Sequence, residues 1–189
     1  MDTPPVASLD AVAVPPAPAT ARAGGGVPTD LRSLLTQQLS ELYAAEKDAV
    51  QVLTELARAA SSPRLAYLFR LHAAETREHI ARLRAILDDL GMRPQPLRTR
   101  GKRGLLEDCV AIASGMGAAP DIRDAALIAV AQHLEHDEIA SYESVCTWAG
   151  LLGLQQAAGQ LALTMAEERR AEGRLRRLSE SLHAAVPTR

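Results

Sequence analysis

Four apolar helical stripes, each interrupted near its midpoint by a glutamate, constrain this chain more than any other feature. The four glutamates are Glu46, Glu75, Glu135 and Glu168. Apolar residues recur along each stripe in steps of three and four, the period of a helix face turned towards a core. In an antiparallel bundle the midpoints of all helices lie at one height. The four carboxylates then converge inside, and no lysine or arginine on the stripes neutralises them. Burying an unpaired carboxylate is costly. Several together call for cations, and bundles that hold paired iron or manganese use such oxygen-rich sites. The alternative is a metal-free bundle whose glutamates tilt to the surface.

The first stripe reads Leu35, Leu39, Leu42, Glu46, Ala49, Leu53 and Leu56, with a stop near Ala60 where Ser61-Ser62-Pro63 combines a cap and a proline. The second reads Leu65, Leu68, His72, Glu75, His79, Leu83, Ile86 and Leu90, terminated by Gly91. Three consecutive members of that stripe are potential metal ligands. The third runs from Pro120 to Gly150 through Ala125, Ile128, Gln132, Glu135, Ile139, Tyr142 and Val145. The fourth runs from about Leu154 to Leu182 through Leu161, Met165, Glu168, Glu172, Leu175 and Leu178.

Between the second and third helices lies a basic connection over residues 91–103, then a predicted short helix from Leu105 to Ser114, broken by Gly115 and Gly117. Two helical hairpins joined by a long crossover that carries a short extra helix make an all-α, antiparallel four-helix bundle. The basic run Arg93, Arg98, Arg100, Lys102 and Arg103 is read as a solvated loop, because aromatic residues for stacking on bases are absent from it.

Such a bundle needs single carboxylates from two helices and a carboxylate paired with a nearby ligand from each of the other two. Glu46 and Glu135 fit the single role. Glu75 with His79, and Glu168 with Glu172, fit the paired role, because residues four apart share a helix face. Oxygen donors with a few imidazoles favour iron, manganese or magnesium over thiolate-loving metals. Glu78 is the other candidate partner of Glu75, with His79 preferred because it lies on the seam. His133, His136 and Glu138 crowd Glu135 off the stripe, as ligands, outer hydrogen-bonding partners or solvated groups. His72 is open to either of the first two roles. Tyr43 and Tyr142 lie near the site as redox-active or hydrogen-bonding neighbours or as core residues, and Trp148 is assigned to packing.

At 189 residues the chain is one domain with a real core. Its 3% aromatic content suits helix-on-helix packing, and its net charge of −2 gives no reason to expect general nucleic-acid or membrane binding. No segment approaches the ~20 apolar residues of a membrane span. The first 29 residues are rich in Pro, Ala and Gly and lack a basic start, so a disordered arm on a cytoplasmic protein is expected, with the bundle over 30–182 and a flexible tail over 183–189. Cys109 and Cys146 read as two semi-buried thiols rather than a redox pair.

The runs Leu42-Tyr43-Ala44-Ala45-Glu46-Lys47, His72-Ala73-Ala74-Glu75-Thr76, Asp124-Ala125-Ala126-Leu127-Ile128-Ala129 and Glu135-His136-Asp137-Glu138-Ile139-Ala140-Ser141-Tyr142 resemble the YciE/YciF family of bacterial stress-associated, ferritin-like proteins. The resemblance covers about residues 30–182. It implies a ferritin-like bundle with an added short helix, a homodimer and a di-iron-type site. It places Glu46, Glu75, Glu135 and Glu168 where the family carries glutamates, Glu172 at an acidic position, and His79 where members also carry glutamine.

Two classes of function follow. One is a di-iron or di-manganese protein, iron favoured, whose partners are O2 or peroxide and whose work is ferroxidase activity or peroxide breakdown. The other is a non-catalytic stress-associated helical dimer or scaffold with a degenerate or structural metal site. Storage of iron in a cage is weaker, because no surface residues specify a shell.

Overall fold

The structure, a computed structural model, describes residues 28–93, 100–115 and 119–183. Most of the N-terminal arm, the connection over residues 94–99, Gly117, and the tail from residue 184 lie outside the described residues. So do the side chains of Arg100, Lys102, Arg103, Leu182 and His183.

Helix α1 spans Leu31–Ala59. Asp30 starts it by accepting a hydrogen bond from the Ser33 amide at 2.7 Å, and Ser33 Oγ accepts from the Asp30 amide in return. Helix α2 spans Pro63–Asp89, opened by the Ser62 side chain and by proline at its first position. It ends at Gly91, whose φ of 71° lets the Met92 and Gly91 amides fold back onto the carbonyls of Leu87 and Asp88. Helices α4 (Pro120–Leu151) and α5 (Gln155–His183) form the second hairpin, closed by the same turn at Gly153.

The long elements lie within a residue or two of their sequence expectation. The short one differs: α3 spans Arg100–Ser114 and starts five residues before the expected Leu105. Gly101 and Gly104 lower local helix propensity, which weakens the helix signal in this stretch. Packing outweighs propensity here, since α3 lies against both α1 and α4 and buries Leu106 and Cys109.

Helix α1 packs on α2 and α4, and α5 packs on α4 and α2. Every neighbouring pair of long helices runs antiparallel, which leaves α2 and α4 pointing the same way and explains the need for a crossover. The Asp124 carboxylate ties the α1–α2 turn to the base of α4 by accepting the Ser61 and Ser62 amides, each at 2.7 Å.

The core is divided in two. At one end Leu53, Leu56, Leu65, Phe69, Leu127, Ile128, Leu134, Leu175 and Leu178 pack together, with α3 as a cover. At the other, Leu35, Leu39, Leu42, Leu83, Ile86, Leu87, Tyr142, Val145 and Leu161 do so. Between the two apolar halves, at mid-height of all four long helices, lies a polar layer. No described helix is long and apolar enough to cross a membrane. Both cysteines are free, and burial pushes the Cys109 thiol up to about 12.

Candidate metal centre

The polar layer is made of Glu46 from α1, His72 and His79 from α2, Glu135 and Glu138 from α4, and Glu168 from α5. Each is buried at 4% exposure or less, and four of the six are completely buried. The α2 residues sit two turns apart, so both imidazoles point along the same seam. Glu138 lies off the central stripe of α4. It is buried because the crossover helix covers that flank, which also buries Val130 and Leu134.

Donor atoms of His72, Glu135, Glu138 and Glu168 lie within 4.8 Å of one another, and so do those of Glu46, His79 and Glu168. Glu168 belongs to both groups. Its Oε1 is 2.7 Å from His79 Nδ1 and its Oε2 is 3.3 Å from His72 Nε2. His72 Nε2 is also 3.1 Å from Glu135, and His79 Nδ1 is 3.6 Å from Glu46. The Tyr142 hydroxyl donates to Glu46 Oε1 at 2.5 Å.

Most of the inward oxygens lack a hydrogen-bond donor. Glu46 Oε2, both oxygens of Glu135 and of Glu168, and Glu138 Oε1 are buried without one. Buried polar atoms in folded proteins are almost always satisfied, so a set of orphaned carboxylate oxygens facing one another points to a missing partner. The donor chemistry fits a cation: four carboxylates and two imidazoles. That is the donor count of the di-iron and di-manganese carboxylate bundles, here with the two histidines on one helix rather than on two.

In the metal-free protein, protons carry part of the load. Burial pushes the carboxyls of Glu46 and Glu168 above their ordinary range and that of Glu138 well above it. Burial opposes charge on His72, but Glu135 and Glu168 outweigh it and hold the imidazolium well above the usual histidine range. For His79 the same contest, won by Glu168 and Glu46, ends at about 10. Burial also drives the Tyr142 phenol well up, so its hydroxyl stays a donor.

Of the residues expected from sequence, the structure brings together Glu46, His79, Glu135 and Glu168. It does not bring Glu75 and Glu172 to them. At 3.6 residues per turn Glu75 lies roughly 60° round the helix from His72, on the side away from buried Thr76. Its side chain is 24% exposed, in contact with Arg174 and with the outer nitrogen of His72. Burial works to raise the Glu75 carboxyl, but His72 and Arg174 hold it below its ordinary value. Glu172 sits on the flank of α5 beside Gln132 and Arg176. His72 and Glu138, left open by the sequence, join the layer. Glu78, His133 and His136 are exposed, and His136 Nδ1 meets the Gln132 carbonyl of its own helix. Tyr43 is half-buried under Lys47, and Trp148 packs against the second core half as expected.

Glu167 carries no signal in the sequence. It adjoins Glu168 off the stripe, yet its carboxylate takes a forked contact from Arg82 and lies 3.2 Å from His79 Nε2. A small cavity lined by Leu68, Phe69, His72, Glu135, Ala171, Arg174 and Leu175 reaches the layer on the Arg174 side. A groove of about 450 Å³ between the end of α2 and the start of α5 lies away from it.

The family described as a domain of unknown function, DUF892, matches residues 30–186. The chain belongs to that family. The resemblance to YciE/YciF is borne out as well: the chain is 36% identical to protein YciF of Escherichia coli K12 over 132 residues, covering 69% of this chain and 79% of that one. The crystal structure of the E. coli stress protein YciF superposes with a TM-score of 0.80 at 31% identity, covering 84% of this chain and all of that one. A ferritin-like, diiron-carboxylate protein of Bacillus anthracis superposes with a TM-score of 0.63 at 19% identity, covering 81% of this chain and 99% of that one. This DUF892 protein therefore has the ferritin-like bundle architecture, with a buried cluster of potential metal ligands at its centre.

Proposed function

We propose that this protein binds about two divalent transition-metal ions in the Glu/His layer, iron favoured over manganese, and uses them to handle oxidants or iron. The observation that carries the reading is the shared carboxylate. Glu168 stands between two donor groups, one completed by Glu46 and His79 and the other by His72, Glu135 and Glu138. The orphaned oxygens give the fit its energetic logic, because cations would satisfy carboxylates that the protein leaves without donors.

Bound iron or manganese would supply one-electron redox chemistry, the basis of ferroxidase activity or peroxide breakdown. The chain's own residues do the rest. Two apolar core halves keep bulk water from the layer above and below it. Tyr142 orients Glu46 through its hydroxyl and leaves the other oxygen free to face the cluster. The small cavity beside Arg174 touches His72 and Glu135, and marks the side of the layer from which a small reactant such as O2 or peroxide would approach.

The second reading, a metal-free helical scaffold, draws on a specific observation too. Imidazolium at His72 and His79 together with protonated carboxyls could balance the layer without a metal. Anaerobic loading with ferrous or manganous ion, followed by elemental analysis, decides between them. Near two ions per chain with a raised melting temperature is expected for the first reading. An unchanged melting temperature with substoichiometric metal would establish the scaffold. A cytoplasmic homodimer completes the proposal, and sedimentation measures its assembly.

A further inference from the structure

The six inward groups account for only half of each imidazole. The outer nitrogens have partners as well, and the two partners follow one plan. His79 turns Nδ1 inward, 2.7 Å from Glu168, and Nε2 outward, 3.2 Å from Glu167. His72 turns Nε2 inward, 3.1 Å from Glu135, and Nδ1 outward, 3.4 Å from Glu75. Each outer glutamate is in turn held by an arginine across the α2–α5 seam. Arg82 of α2 forks onto Glu167 of α5 and also donates to Thr164 Oγ1 at 3.0 Å, while Arg174 of α5 contacts Glu75 of α2. The direction of the relay is reversed between the two sites, but the order His, Glu, Arg is the same.

Resting on the metal-centre reading, we infer that Glu167 and Glu75 are positioning residues for the layer. Each accepts the outer N–H of its histidine, so that His79 offers Nδ1 and His72 offers Nε2 to a metal, and each thereby sets how tightly the layer holds it. A carboxylate on the far nitrogen fixes the ring's orientation and makes the ligating nitrogen a better donor. The arginine keeps the glutamate from swinging inward to become a ligand itself. Helix stitching alone accounts less well for this arrangement. Both carboxylates are placed against a histidine of the layer, whereas Glu143, paired with Arg169 between α4 and α5 on the surface, touches none. Glu75, expected from its spacing to bind metal directly, thus acts instead from behind His72.

The test combines two readouts on the full chain. Long-range proton–nitrogen-15 spectra of the zinc-loaded wild type, zinc being diamagnetic, report which nitrogen of each ring bears the proton. Protons on His79 Nε2 and His72 Nδ1 are expected, and the opposite pattern at either ring overturns the assignment for that residue's partner. Anaerobic ferrous titration of Glu167→Ala and Glu75→Ala, both checked for wild-type helicity, is expected to show affinity weakened by roughly 10- to 100-fold. Glu167→Gln, which keeps an acceptor oxygen, should recover most of the loss, and Glu143→Ala should bind as the wild type does. Wild-type affinity in both alanine variants overturns the inference while leaving the metal centre standing. A wild type that binds neither zinc nor ferrous ion overturns both.

Discussion

Glu168 and His79 approach to 2.7 Å across the α2–α5 seam, yet neither carboxylate oxygen has a well-aligned hydrogen-bond donor. Because both donor groups share Glu168, its loss should empty both. Glu168→Gln is expected to reduce metal content after ferrous loading from about two ions per chain to well below one. Glu172→Gln, on the flank of the same helix, should keep the wild-type content. Elemental analysis of the two variants side by side checks the contrast, and equal loss in both would return Glu172 to the ligand set.

The protonation pattern makes stability depend on pH with a definite sign. The folded protein raises His79 to about 10 from an ordinary value near 6.5, so the stabilising charge is fully present below pH 6.5 and is lost as pH rises towards 10. The raised carboxyls of Glu46, Glu138 and Glu168 act in the same direction, their contribution being lost as pH rises from the ordinary carboxylate range towards their raised values. The metal-free protein is therefore expected to melt at falling temperature as pH rises from about 6.5 to 10. With metal bound the same protons are displaced, so affinity rises with pH and the decline should flatten. Melting curves with and without manganous ion across that range measure it.

Helix existence was legible because leucine spacing, Ser62-Pro63 and Gly91 are local signals whose physics needs no tertiary context. The site was legible only in part. Glu46, Glu135 and Glu168 lie on narrow stripes that face the core, and the expectation for them rests on the same periodicity. Glu75 shares the mid-height but not the phase: Thr76 takes the buried position, and a stripe counted in steps of three and four cannot separate residues that far apart round the helix. Glu138 was obscured for a different reason. Its burial depends on α3 crossing α4, a tertiary contact, and the glycines at 101 and 104 hid the first five of that helix's 15 residues. Glu167 was invisible, since its role exists only through Arg82 and His79 on another helix.

Asp124 supports the scaffold rather than the chemistry. It is buried and accepts two backbone amides from the turn between α1 and α2, each at 2.7 Å. Asp124→Ala leaves both amides without a partner and is expected to lower stability by about 3 kcal/mol. Metal content per folded chain should not change, because none of the layer's residues touches Asp124. Chemical denaturation together with elemental analysis separates the two effects.

Tyr142 joins the scaffold to the site. Its ring is completely buried in the second core half, and its hydroxyl gives Glu46 its hydrogen bond within the layer. Tyr142→Phe preserves the packing and orphans a second oxygen on Glu46, at a cost of about 1–3 kcal/mol in the metal-free protein. A metal on Glu46 would satisfy part of that deficit, so the penalty should shrink when the layer is loaded. Denaturant unfolding of wild type and Tyr142→Phe, each with and without manganous ion, gives the four values of a thermodynamic cycle. A penalty of equal size in both states would mean that Glu46 does not face a bound metal, and the donor group it forms with His79 and Glu168 would have to be redrawn.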